Sequence, residues 1–507
     1  FGSRSSHGSL SIRVRGSRWN IGSMLNHEFV KLCFGLALLV TVAIAIASRS
    51  NGSKGGAAGK AADERFRGFQ RTYLVVYLMA MMADWLQGPY VYALYESYGF
   101  TQSDNAVLFT MGFGSSAVFG TVIGSLADRM GRRKFAALYC ILYGVSCLTK
   151  HVNNFSFLMF GRVTGGIATS LLFSVFDSWM VSEHNRRNFD PELLGATFSL
   201  AVFGNSVVAI TAGEVGQFFA DMLELTPLRP GSDVYYGGYC MPFDVAIAFL
   251  IVALVAMSLM WSENYGNKTG STSSGSLADT MSVAVRTIRQ FPQVLYTGVV
   301  CSFFESSMFI FVFMWTPALT EEGQPKPPYG HIFATFMVMA MLGSQVFSLG
   351  VQSMSVEAVG RLTLMVSAVC HVVPMMTTDV SLRFMSFCIF ELCVGVYFPM
   401  MGTLKGSVVP EESRSAIYSL YRVPLNVIVI SVLAAHLELK TAFMLTTLLL
   451  SVAVGFQTLL IGIHGQSQYS RVGVDTEFGL DDDPGSAICG VDGHGEEELT
   501  TIMGSKT

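Results

Sequence analysis

Runs of roughly 20 apolar residues recur from about residue 29 to residue 464, separated by short polar turns. A helix rising about 1.5 Å per residue crosses a hydrocarbon core of about 30 Å in one such run. With 507 residues, 51% of them hydrophobic and 13% charged, and a mean hydropathy of +0.48, the chain has too little polar surface to coat a soluble core. The composition therefore predicts an all-α membrane protein whose first partner is the lipid bilayer. The net charge of −4 and the scatter of Lys and Arg among loops leave no continuous basic patch, so no nucleic-acid partner is expected. The nine cysteines lie mostly inside apolar runs without C-x-x-C spacing, which makes them small hydrophobes rather than disulfide or metal ligands. No Walker loop and no Ser/His/Asp set is present, so the chain calls for no catalytic residues, no metal and no cofactor.

Apolar runs and breakers give an expected organisation. Residues 1–28 read as a disordered leader, rich in Ser, Gly and Arg to residue 23, with Met24 a fitting true start. Residues 29–48 read as an extra transmembrane helix. It has no small-residue cleavage site, which favours a retained anchor over a cleaved signal. A cytoplasmic linker is expected at 49–69. Twelve further spans fall near 70–97, 105–127, 133–150, 154–182, 192–220, 240–262, 292–319, 330–351, 359–377, 381–407, 413–437 and 440–464. A polar cytoplasmic loop at 263–291 divides them into bundles at 70–262 and 292–464. The tail 465–507 carries Asp481-Asp482-Asp483 and Glu496-Glu497-Glu498 and reads as disordered, acidic and cytoplasmic.

Residues 124–134 read Gly-Ser-Leu-Ala-Asp-Arg-Met-Gly-Arg-Arg-Lys. Gly124 and Gly131 allow close backbone approach. Asp128 has Arg129, Arg132 or a helix end to pair with, and Arg133 adds a further charge that cannot cross a bilayer. The segment resembles the loop between the second and third core helices of major facilitator transporters, G-x-L-A-D-R-x-G-R-[KR], at eight positions. An ordinary positive-inside loop is the plainer alternative. The resemblance implies the major facilitator fold, two six-helix bundles, here with one extra N-terminal transmembrane helix. It also implies a gating role for Gly124, Asp128, Arg129, Gly131, Arg132 and Arg133.

With that loop cytoplasmic, alternate loops hold Arg186, Arg187, Lys268, Arg286, Arg289, Arg361, Lys405 and Arg414. The opposite loops hold fewer: Lys150, Arg229, Lys326, Arg383 and Lys440. The asymmetry follows the positive-inside rule and puts the carboxyl tail inside. The halves also echo each other. Arg162-x-x-x-Gly166 parallels Glu391-x-x-x-Gly395, and Ala196-x-x-Ser199-Leu200 parallels Ala416-x-x-Ser419-Leu420. Paired repeats suit alternating access around a midplane site.

A charge at bilayer depth costs a few kcal/mol or more, so each one needs a reason. Five fall near mid-span: Asp84, Arg162, Glu305, Glu391 and Arg422. Tyr73, Tyr77, Ala80, Asp84 and Gln87 share one helix face, as do Arg162, Gly166, Thr169, Phe173 and Asp177. Two readings stand: a substrate pathway, or internal salt bridges that hold helices together. His371 and His436 read as packing residues. Glu214 and Asp244 read as interfacial.

Several stretches narrow the resemblance: Ala83-Asp84-Trp85-Leu86-Gln87-Gly88-Pro89-Tyr90, Leu171 to Trp179, Trp261 to Tyr265, Phe304 to Pro317, Glu391 to Pro399, and Tyr421-Arg422-Val423-Pro424-Leu425-Asn426. Together with the extra helix they resemble the molybdate-anion transporter family over residues 29–464. The resemblance implies a secondary transporter, not an enzyme, that carries molybdate, a small tetrahedral anion. Arg suits an oxyanion because it offers paired donors. Arg162 and Arg422 are the only basic residues placed mid-span, so they are the expected anion contacts. Ser306, Ser307, Thr169, Tyr397 and Asn426 are the expected neutral donors. Trp85, Trp179 and Trp315 read as interfacial anchors.

Three mid-span acids, Asp84, Glu305 and Glu391, then oppose two Arg, which would repel a dianion. Burial favours a neutral carboxyl, so Glu305 or Asp84 is expected to take a proton with the anion, as a symporter does. An Arg at the start of the fourth core helix recurs in proton-coupled facilitators, which also makes Arg162 a coupling candidate. The alternatives are a facilitator of a neutral or cationic organic solute and a non-transporting sensor or scaffold. A monomer in the plasma membrane is expected, with an internal membrane as the other location.

Overall fold

Helix follows the apolar runs in the computed structural model, which describes residues 11–14, 17–20, 27–50, 60–190, 192–265, 277–321, 323–410, 414–435 and 437–477. The helices are α1 (His27–Ser50), α2 (Lys60–Gln87), α3 (Val91–Ser97), α4 (Gln102–Met130), α5 (Arg132–Thr149), α6 (Phe155–Arg186), α7 (Glu192–Met222) and α8 (Met241–Met260). After the centre come α9 (Leu277–Gln290), α10 (Pro292–Leu319), α11 (Tyr329–Gly350), α12 (Val356–Met376), α13 (Val380–Val408), α14 (Arg414–Ala434) and α15 (Leu439–Glu477).

Local chemistry sets the helix ends. Thr101 and Asp104 make a reciprocal capping box ahead of α4. Asn154, Ser355 and Asp379 accept from the first free N–H groups of α6, α12 and α13. Gly88 and Pro89 break the first core span, because proline brings no N–H. Only Gly131 separates α4 from α5, and its φ of 114° is one that a side chain disfavours.

Several boundaries differ from expectation. The leader holds a short antiparallel pair, β1 (Ser11–Val14) with β2 (Ser17–Asn20), in which Ile12 faces Trp19. α2 begins inside the expected linker, since Lys60 to Arg71 contains good helix formers. α9 occupies part of the expected central loop. α15 runs to Glu477, into the expected tail; residues 478–507 and His436 lie outside the described residues.

Among the described residues, nine helices are long and apolar enough to cross a membrane, or ten if the bent α4 is one span. α2 and α5 fall short because they open on charged turns, and Leu420–Ala434 of α14 is an apolar helix shorter than these spans. Apolarity alone therefore does not reach the thirteen spans expected above.

Within residues 1–461, α2 to α8 form one helical lobe and α10 to α14, with the first part of α15, the other. Residues 462–507 are a separate unit, described only along the end of α15. α1 packs on α11, with Phe29 edge-on to Phe384 of α13. The lobes meet through α7 with α11 and α4 with α14. Gly213 and Gly330 allow the first approach: a Cβ on Gly213 would lie 2.7 Å from the Gly330 carbonyl oxygen.

The end carrying Arg132 and Arg133 is here termed the basic end. Side-chain contacts between the lobes cluster at the opposite end. Trp85 packs on Phe333, Phe109 and Tyr92 on Phe313, and Phe113 on Phe309. Toward the basic end, Phe173 of α6 is 64% exposed and Phe398 of α13 is 53% exposed.

Candidate functional site: one charged cluster in each lobe

In the first lobe, the Asp84 carboxylate on α2 accepts from the Tyr143 hydroxyl on α5 at 2.5 Å. Arg162 on α6 turns toward α4. Its Nε donates to the Leu108 carbonyl at 3.1 Å and its guanidinium stands 4.6 Å over the Phe109 ring. Gly112 makes room for it, because a Cβ there would sit 2.6 Å from the guanidinium. Among the described residues Arg162 has no carboxylate partner. Phe109, which carries it, is the same ring that seals against Phe313 of the other lobe. Farther toward the basic end, Tyr73 donates to Asp177 at 2.9 Å.

In the second lobe, Glu305 on α10 gathers three neighbours. The Tyr397 hydroxyl donates to it at 3.0 Å, the Cys301 thiol at 3.1 Å, and Lys405 Nζ lies 3.6 Å away. Tyr397 is itself stacked on Phe304 at 3.9 Å. Lys405 and Glu305 keep 18% and 20% of their side-chain surface open. Lys405 also stands 5.4 Å over the Tyr418 ring of α14. Tyr418, Arg422 and Asn426 follow at four-residue steps on one face of α14. Arg422 is exposed there, with no ion pair or hydrogen bond among the described residues. Glu391 is buried on α13 without a polar partner among the described residues.

Lys405 corrects the charge count made above. It was assigned to a loop, yet it lies in α13 and reaches Glu305, so Arg162 and Arg422 are not the sole basic residues at depth. The signal was present: Lys405 follows Tyr397 by eight residues, on the same helix face. Tyr143, Cys301 and Tyr418 were also missed, because a single Tyr or Cys in an apolar run carries no spacing signal.

Other expected residues are not brought to either cluster. Ser306 and Ser307 are buried and donate to the Ser302 and Phe303 carbonyls of their own helix. Thr169 does the same to Gly165. The tryptophans are not all anchors: Trp179 and Trp315 are buried, and Trp179 stacks on Trp261 at 3.8 Å. Trp85 donates to Asn205 of α7 at 2.8 Å. His371 is buried packing, with Nδ1 2.8 Å from the Thr446 hydroxyl.

The motif at 124–133 forms a clamp. Arg132 donates to Asp128 at 2.7 Å and to the Ser178 carbonyl at 3.1 Å. Glu263, after α8, accepts from the Arg133 N–H at 2.8 Å. A Cβ on Gly131 would strike that same carboxylate, at 2.6 Å. Arg129 is exposed, and Gly124 has open space beside it. At the opposite end, His151 lies between α5 and α6 with Nε2 3.0 Å from Asp244. Burial pulls its pKa down, but Asp244 and Cys240 outweigh this and push it up to about 10.

Two lobes of this pattern define the class, a major facilitator transporter, integral to the membrane and multi-pass. A family model described as sugar transporters with 12 TM matches residues 29–392. A bacterial homologue of the human lysosomal transporter Spinster, inward-facing and unoccupied, superposes with a TM-score of 0.59 at 14% identity, over 80% of this chain and 98% of that one. The peptide transporter POT in complex with sulfate gives a TM-score of 0.58 at 13% identity, over 78% and 94%. Both show the fold.

Sequence goes further. The molybdate-anion transporter of Takifugu rubripes is 30% identical over 81% of this chain and 88% of its own length. That of Xenopus laevis is 33% identical over 72% and 78%. The chain belongs to the molybdate-anion transporter family. It is a transporter and not an enzyme.

Proposed function

We propose that the chain carries molybdate across a membrane by alternating access, with a proton moving alongside the anion. The observation that carries this reading is the Glu305–Lys405 pair, partly open at 3.6 Å and beside the α14 face that holds Tyr418 and Arg422. With Lys405 counted, the cations Arg162, Lys405 and Arg422 equal the acids Asp84, Glu305 and Glu391 in number, and among them Lys405 and Glu305 pair directly. Protonating Glu305 frees Lys405 and leaves one positive charge in excess, which suits an oxyanion. Losing that proton to the other side restores the pair and expels the anion. Arg162, behind the aromatic seal, adds positive potential from the first lobe. The basic end is read as cytoplasmic, the carrier as a monomer, and the plasma membrane as its location.

The test is uptake of labelled molybdate into proteoliposomes holding the full chain alone. Uptake should rise when the outside is made acid relative to the interior, and compete with tungstate and sulfate. Indifference to the gradient would remove the proton, and absence of flux would remove the carrier reading in favour of a sensor or scaffold.

The family model's sugar-transporter description supports a second reading, a neutral solute held by Asp84 and Tyr143. Competition by sugars but not by tungstate would select it.

A further inference from the structure

A polar cleft between helices takes no part in the charged clusters above. It lies at the opposite end, measures about 450 Å³, and is bounded by three bodies: the first lobe, the second lobe and the extra helix. α7 contributes Glu214 and Asp221, α11 contributes His331, and α1 contributes His27 and Lys31, with Glu28 beside them. His331 Nδ1 lies 3.0 Å from the Glu214 carboxylate, so this titratable pair ties lobe to lobe. The His27 ring meets the His331 ring edge to face at 5.5 Å.

Gln217 completes the seam. It accepts from the Gly330 N–H at 2.8 Å and from Tyr90 at 3.3 Å, and donates to Asp221 at 3.0 Å. This seam is the α7–α11 junction, which has to part if the carrier opens at this end.

The charges make the junction pH-sensitive. Three carboxylates against Lys31 leave two negative charges, and two protonated histidines cancel them. The nearby Lys326–Glu96 pair also crosses the lobes, at 3.4 Å. A neutral His331 gives Glu214 a hydrogen bond, whereas a protonated one adds a charge.

We propose that this cleft is a proton-operated latch: protonation of His331 tightens its tie to Glu214 and holds α7 and α11 together. His27 and Lys31 of α1 set the pH at which that happens. The extra helix is then part of the gate rather than an anchor only. Acid on this side favours the state open at the basic end, and neutral to alkaline pH releases the seam.

Spin labels at Arg229→Cys and Gln324→Cys, one in each lobe at this end, read the seam directly. The full chain is placed in lipid nanodiscs without substrate, and the same chain lacking the two introduced cysteines, treated with the same label, controls for the native cysteines. Between about pH 5.5 and pH 8 the separated population should grow roughly two- to fivefold, the effect of one partly exposed ion pair. Glu214→Gln and His331→Gln should flatten that response, while His27→Gln should keep it and move its midpoint. If the doubly labelled chain, with no further substitution, shows distances that ignore pH, the latch is overturned, even if a variant fails to fold. So does an unchanged response in both flattening variants. No substrate is present, so failure of the molybdate reading would leave this result standing.

Discussion

The two lobes hold their buried charge differently. In the first, Asp84 and Arg162 each rest on neutral groups, a tyrosine hydroxyl and a backbone carbonyl. In the second, Glu305 and Lys405 face each other as a partly open ion pair. A charge satisfied by fixed neutral dipoles has no reason to change partner. A pair of charges does, because one proton neutralises the carboxylate and removes the charge–charge attraction. The first lobe therefore supplies a fixed potential, and the second supplies the part that switches.

The sharpest way to break this contrast is Lys405→Met. It leaves Glu305 without its cation, and molybdate uptake should fall about 30-fold or more, since stranding one partner of a buried pair costs about 2 kcal/mol upward. Lys405→Arg should recover part of the loss. If Lys405→Met transports normally, the second lobe holds no switch.

Glu305→Gln tests coupling rather than binding. Uptake should survive within roughly tenfold but lose its response to an imposed pH gradient. Asp84→Asn should keep that response. The reverse result would move the switch to the first lobe.

Arg422→Gln should raise the half-saturating molybdate concentration by about five- to tenfold, the worth of one charge-assisted contact, with normal abundance in the membrane. Normal transport in Arg422→Gln and Arg422→Lys would make Arg422 structural.

Gly112→Ala sharpens the fixed half of the contrast. The new methyl would displace the Arg162 guanidinium from the Leu108 carbonyl, losing a charge-assisted hydrogen bond of about 1 kcal/mol, visible as a small drop in thermal stability. Smallest is the His151–Asp244 pair. Its raised pKa gives stability that is complete below about pH 6.5, the unfolded value, and is lost as pH climbs through about 10. Asp244 is 44% exposed, so screening limits the effect to about 1–2 °C in apparent melting temperature. Asp244→Asn should abolish that alkaline loss.

Reading the sequence located most of the charges but few of their partners. Asp84, Arg162, Glu305, Glu391 and Arg422 stood out because a charge within an apolar run is expensive. Lys405 did not, because its position near a span end fits a loop lysine equally well. Glu305 and Tyr397 were both named, yet nothing in the text of the chain joined them across 92 residues. Ser306 misled because a serine beside a buried acid looks available, whereas its hydroxyl is spent on its own helix. The clamp around Gly131 was half legible: Asp128 and Arg132 lie one helical turn apart, but Glu263 arrives from beyond α8.

The sequence by itself determined that this chain lives in lipid as helices, that its 124–133 turn belongs to a facilitator, and which family it joins. Those properties are written in local composition and short motifs, and need no contact between distant residues. The tertiary structure alone decided which charge meets which. A helix fixes the direction of a side chain only about its own axis. Whether Lys405 reaches water, lipid or Glu305 depends on how α10, α13 and α14 are packed together.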